Sequence, residues 1–134
     1  MKKKHIIILS IVLFLIVGGF LGAKAVLARV ETNLDSLNDM EIAQIELTTI
    51  KDGIYTGSYS AFPVSAEVSV TVKDHVITAI ELIKHNNGQG APAEVIPGKV
   101  VESQSLQVDS VSGATYSSRV ILKAIENALL SANE

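Results

Sequence analysis

The chain has 134 residues, a net charge of −3, and neither cysteine nor tryptophan. That length accommodates one small domain beyond its apolar leader. The absence of Cys excludes disulfides, thiolate nucleophiles, Cys-held iron–sulfur clusters and a lipid-modified Cys anchor. Every Asp and Glu lies beyond Lys24, and an acidic domain is poorly suited to nucleic-acid phosphates or anionic lipid surfaces.

The N-terminus opens with Lys2, Lys3 and Lys4, followed by a charge-free run from Ile6 to Ala23. About 18 apolar residues make roughly 27 Å of helix, close to the hydrocarbon thickness of a bilayer. The preceding lysines predict a cytoplasmic N-terminus and an extracytoplasmic remainder. Two readings stay open. Ala23-Lys24-Ala25 resembles a signal-peptide cleavage site, whereas the length of the apolar run favours a permanent anchor. The expected organisation is a cytoplasmic tip and transmembrane anchor over 1–28, a stalk over 29–50 and a domain over 51–134.

Within the stalk, Leu34, Leu37, Ile42 and Ile45 give partial helical periodicity, weakened by Asn33, Asp35, Ser36, Asn38 and Asp39. A short strand is expected from Gly53 to Ser60. From Val64 to Lys73 valines and alanine alternate with Ser, Glu, Thr and Lys, the period-two pattern of a strand with one buried face. Asp74-His75 makes a tight turn, and Val76 to Lys84 returns as a β-branched strand. His85 to Pro92 is a Gly/Asn loop. Ala93 to Gln104 is helical but interrupted at Pro97-Gly98, and Leu106 to Val111 is extended. The last helix carries Val120, Ile121, Ala124, Ile125, Ala128 and Leu129 on one face, so it packs on the sheet. The fold class is therefore α+β: a small antiparallel sheet packed by a C-terminal helix, preceded by one N-terminal transmembrane helix.

Chemistry concentrates where the extended segment meets that helix, in Asp109-Ser110-Val111-Ser112-Gly113-Ala114-Thr115. A hydroxyl pair around two small residues at a helix start suits a phosphate, because free amides and the positive end of the helix dipole converge there. The same residue types also serve as ordinary helix caps. This stretch resembles the flavinylation motif of the FMN-binding domain family, in which Asp-x-x-(Ser/Thr)-Gly-Ala-(Thr/Ser) receives FMN as a phosphoester on its last hydroxyl. Asp52-Gly53-Ile54-Tyr55-Thr56-Gly57 resembles the family's opening strand, and Gly88-Gln89-Gly90 its Gly-x-Gly loop. The resemblance spans Lys51 to Leu130. The chain departs from it at His85-Asn86-Asn87, where larger relatives carry Glu-Thr-Pro. Those relatives include the C subunit of the sodium-pumping NADH:quinone oxidoreductase and the G subunit of Rnf complexes; this chain resembles a minimal, single-domain form.

The resemblance implies covalent FMN on Thr115, attached by an FAD-dependent flavin transferase that reads Asp109. Ser112 would hydrogen-bond a phosphate oxygen or cap the turn, Gly113 would allow close backbone approach, and Ala114 would keep the turn free of bulk. Gly88 and Gly90 would let their loop pass along the flavin; an ordinary flexible turn is the alternative. An Asx-type turn is the alternative for Asp109. His85 faces either the flavin or solvent, and Tyr116 either shields the ring or simply packs. No His, Cys or carboxylate spacing suggests a metal, and no nucleophile–base constellation is visible. Redox chemistry would belong to the flavin. The expected function is a membrane-anchored extracytoplasmic electron carrier with a membrane or extracellular redox partner. The alternative is a non-covalent FMN-binding or cofactor-free interaction module on the cell surface.

Overall fold

A computed structural model of the chain describes residues 2–88 and 90–134. Gln89, the middle of the Gly-x-Gly, lies outside the described residues, as do the side chains of Asn33, Leu34 and Asn38. Helix α1 spans Lys2–Asn38 without a break. It contains a window of mean hydropathy 2.9, none of it buried against the rest of the chain. By length and composition it can cross a membrane. The helix runs on through the polar residues that weaken its sequence signal, as far as the buried Leu37.

The domain is built on strands β1 (Gly53–Ala61), β2 (Val64–Lys73) and β3 (Val76–Asn86) in the order β1-β2-β3. Both pairings are antiparallel, as the two short turns dictate. A cis Phe62–Pro63 peptide turns β1 into β2, and Asp74 and His75, both at positive φ, turn β2 into β3. The alternation in β2 reaches the structure intact: Val64, Ala66, Val68, Val70 and Val72 are all buried. The β2–β3 register slips at Glu67/Val68 and again at Thr71/Val72. At each slip one β3 residue is left unpaired, so the buried positions of β3 do not follow strict alternation. A 3₁₀ turn over Ala91–Val95 leads into α2 (Ile96–Ser103). The Pro97-Gly98 interruption falls in the first turn of α2, where Pro costs no hydrogen bond.

Helix α3 (Thr115–Ser131) lies across the buried face of the sheet. It is buried on more than its apolar stripe, because residues 39–46 cross its other side. Arg119 Nη1 donates to Met40 O at 2.9 Å, and Gln107 Nε2 donates to Ile42 O at 2.9 Å. The buried carboxylate of Glu126 accepts from Ala43 N–H at 3.4 Å and pairs with Lys123 at 2.9 Å. Such contacts suit a buried carboxylate, which must be paired and hydrogen-bonded. The region between α1 and the sheet is therefore a packed strap, ending at the fully buried Ile50.

One close approach seats α3. A Cβ at Gly57 of β1 would run into backbone atoms of Ala124 and Ala128, so strand and helix meet main chain to main chain. Gly57→Ala is expected to destabilise the domain by about 2 kcal/mol or more, the overpacking range. All three tyrosines lie beyond residue 51. Denaturant unfolding of the full chain in detergent micelles, followed by tyrosine near-ultraviolet dichroism, therefore reads the domain and not α1.

Candidate functional site

The segment entering α3 closes a turn in which Ala114 N–H donates to Val111 O at 2.9 Å. Gly113 sits in this turn at φ +79°, a conformation that side chains with a Cβ rarely adopt. Ser118 staples the turn from inside the helix: its hydroxyl donates to Ala114 O at 2.8 Å and accepts from Val111 N–H at 3.0 Å. The helix then starts at Thr115 with Ala114 as N-cap and no side-chain cap. The hydroxyls of Ser112 and Thr115 are thus not spent on capping, and both residues are exposed. The amides of a helix's first turn have no acceptor inside the helix and carry the positive end of its dipole.

This helix start opens onto a cavity of about 300 Å³. One wall is Gly113, Ala114, Thr115, Tyr116 and Ser117, and a second is Asn87, Gly88 and Gly90. Gly90 touches the first wall directly, since a Cβ there would collide with the Ser117 side chain. The remaining walls are Pro63 and Val64 from the β1–β2 turn and Val30 from α1. Tyr116 locks the turn in place, its hydroxyl within hydrogen-bonding distance of Phe62 O (2.8 Å) and Ala61 O (3.0 Å). An amide-rich end faces an apolar and aromatic side, which matches a ligand with a phosphate at one end and a flat ring at the other.

Of the residues singled out in the sequence, Gly88, Gly90, Gly113, Ala114 and Thr115 come together in this cavity. Ser112 lies in the adjoining turn. Asp109 lines a different cavity of about 370 Å³, shared with Arg119, Ile42 and Leu122. His85 is not a solvent-exposed strand end: its imidazole is 2% exposed and lies 3.1 Å from Glu94. Ser118, Tyr116 as a clasp, and Val30 carry no signal in the sequence, because each acts through a contact distant along the chain or through a single helical turn. Among the described residues no group of His, Cys, Asp and Glu is arranged to hold a metal.

A family model described as an FMN-binding domain matches residues 63–130. An NADH:acrylate oxidoreductase of Vibrio harveyi is 30% identical over 105 residues, covering 75% of this chain and 10% of that protein. An uncharacterized protein of Treponema pallidum (strain Nichols) is 30% identical over 83 residues, 60% of this chain and 23% of its own length. The chain thus spans between a tenth and a quarter of the length of these relatives.

Two predictions separate the roles in the turn. A Cβ at Gly113 would meet nothing within 4 Å, so the demand there is on the backbone alone. Gly113→Asn is therefore expected to be nearly neutral, while Gly113→Val loses about 1–2 kcal/mol or more. Ser118→Ala strands the half-buried Val111 amide and is expected to cost about 1 kcal/mol. The denaturation assay described for Gly57 measures all three.

Proposed function

The chain belongs to the FMN-binding domain family, and on that footing we propose that it is a membrane-tethered electron carrier whose FMN is esterified through its phosphate to Thr115. The observation that carries this reading is the exposed Thr115 hydroxyl at an uncapped helix start opening onto the cavity. FMN, once bound, supplies reversible one- and two-electron chemistry. The protein supplies position: first-turn amides for the phosphate, the Gly90 approach for a flat neighbour, and Tyr116 with Val64 as an apolar flank.

Attachment requires a flavin transferase. The Thr115 Oγ1 attacks the flavin-side phosphorus of FAD, the pyrophosphate bond breaks, AMP leaves, and the hydroxyl proton passes to a base on the transferase. Asp109 stands outside the cavity, so the transferase can read it while Thr115 reacts. The oxidoreductase named among the relatives supports a redox role. In this reading α1 is a retained anchor, Lys2–Lys4 stay in the cytoplasm, and the domain faces a membrane or extracellular redox partner. Covalent attachment suits that location, where a dissociated cofactor would be lost by dilution.

Coexpression with a flavin transferase and intact-mass measurement tests the attachment. The wild type is expected to gain one FMN, Thr115→Ala to gain none, and Thr115→Ser to retain part of the labelling. Labelling of Thr115→Ala at wild-type yield would overturn the assignment. Protease added to intact spheroplasts is expected to remove the domain beyond Val30; protection would reverse the orientation.

A further inference from the structure

The order in which the chain meets α3 gives the domain a near and a far end with respect to the apolar segment. Val30, on α1, lines the cavity at the start of α3. The strap then runs down the same helix: Met40 O meets Arg119, Ala43 N–H meets Glu126, and Ile45 and Leu47 share a cavity with Leu129. Beyond it, Ile50 O lies 3.2 Å from His75 Nδ1, and Asp52 Oδ1 accepts from Asp74 N–H at 2.8 Å. The β2–β3 turn is therefore the far end. The near end holds the start of α3, the β1–β2 turn and the glycine loop, gathered around the Thr115 cavity.

The near end also stands close to the membrane that α1 can cross. Ala23, the last residue of the charge-free run, precedes Val30 by seven residues, about 10 Å along a helix. The headgroup layer is itself about 5–8 Å deep on each side of the hydrocarbon. Helix α1 is unbroken through this stretch, and its exposed Val26 and Leu27 carry apolar surface beyond Lys24. Leu37, on the same helix, is buried in the core of the domain. A continuous helix anchored in that core leaves the domain no slack on which to move away from the bilayer.

The chemistry of the near end matches such a neighbour. Residues 58–66, 86–93 and 110–118 contain no Asp, Glu, Lys or Arg. The far end carries Lys51, Asp52, Lys73 and Asp74. Phe62 tips the β1–β2 turn, 53% exposed, next to Pro63 in the cavity wall. Its backbone is held, because Phe62 O accepts from the Tyr116 hydroxyl at 2.8 Å. An exposed aromatic ring on an uncharged tip suits the headgroup region, where rings settle without requiring anionic lipid.

We propose that the near end of the domain rests on the surface of the bilayer that α1 crosses, with Phe62 in the headgroup layer and the Thr115 cavity beside it. The inference rests on the reading of α1 as a retained anchor. It adds to that reading that the cofactor site is held against the membrane surface, so its redox partner is met there and not at the end of a free stalk.

The chain has no tryptophan, so Phe62→Trp and, at the far turn, the exposed Val76→Trp each report one position. The full-length variants are placed in phosphatidylcholine vesicles carrying bromine on the acyl chains near the headgroup. Flotation after alkaline extraction first establishes the anchor; a chain that does not float refutes the retained span and the inference with it. Phe62→Trp is expected to lose most of its emission to the brominated lipid and to be shielded from aqueous iodide. Val76→Trp is expected to be quenched by iodide alone. A floating Phe62→Trp that iodide quenches and lipid does not overturns the inference, as does equal lipid quenching at the two positions. Shielding of Phe62→Trp from both quenchers indicates a second copy of the chain over the tip and overturns it too. The wild type gives a test without substitution, since its three phenylalanines are Phe14 and Phe20 of α1 and Phe62. With fluorinated phenylalanine, a nitroxide on the lipid is expected to broaden all three ¹⁹F resonances. A resonance broadened only by a soluble paramagnet overturns the inference.

Discussion

The meeting of main chain with main chain at Gly57 fixes where everything else in the domain can be. Because Gly57 has no side chain, α3 settles directly on β1 at Ala124 and Ala128, and its small-residue seam leaves Val120, Ile121, Ile125 and Leu129 to fill the space against the β2 valines. Thr115 lies nine residues upstream of Ala124 on the same rigid rod, about 14 Å at 1.5 Å per residue. The height and direction of the helix start relative to the sheet, and so the shape of the cavity, follow from that seat. A helix displaced outward by one methyl group would carry Thr115 away from Gly90 and loosen the grip of Tyr116 on the hairpin.

The cavity is assembled from segments that are far apart along the chain, two of them tied by hydrogen bonds and a third by close contact. Ser118 fixes the turn, Tyr116 clasps the β1–β2 hairpin, and Ser117 abuts Gly90. Few of these contacts are apolar. A site held by directional bonds keeps a defined shape, and the uncapped amides give it a fixed electrostatic sense that needs no basic side chain. In the function proposed above, this accommodates the acidic balance of the domain, because oriented backbone dipoles would receive the anionic phosphate.

Much of this was legible in the sequence, for reasons that can be named. The valine alternation of β2 and the stripe of α3 each obey a single period, so sheet and helix could be read directly. The motif from Asp109 to Thr115 identified the helix start because Ser, Gly and Thr have distinct local chemistry. Four features were hidden. The continuation of α1 to Asn38 runs against local propensity, since Asp35, Ser36 and their neighbours favour caps and turns. The strap over 39–46 is held by Gln107, Arg119 and Glu126, whose partners lie 65 to 83 residues away and follow no periodicity. The burial of His85 depends on the slip at Glu67/Val68, which shifts the inward face of β3 by one residue near its end. The separation of Asp109 from Thr115 is likewise a product of the 111–114 turn, which sends the chain round a corner between them.

The position of α3 also orders events in time. The β-hairpins pair neighbours in sequence and can form as soon as those residues are present, whereas the cavity has no first wall until the final seventeen-residue helix has docked. Glycine loop, hairpin turn and α1 each present half a surface to nothing until then. In a chain made from its N-terminus, any cofactor is therefore captured after the last helix arrives, and a molecule cut short within α3 is left with a sheet but no place to hold it. Loading of this domain is in that sense a readout of completed folding.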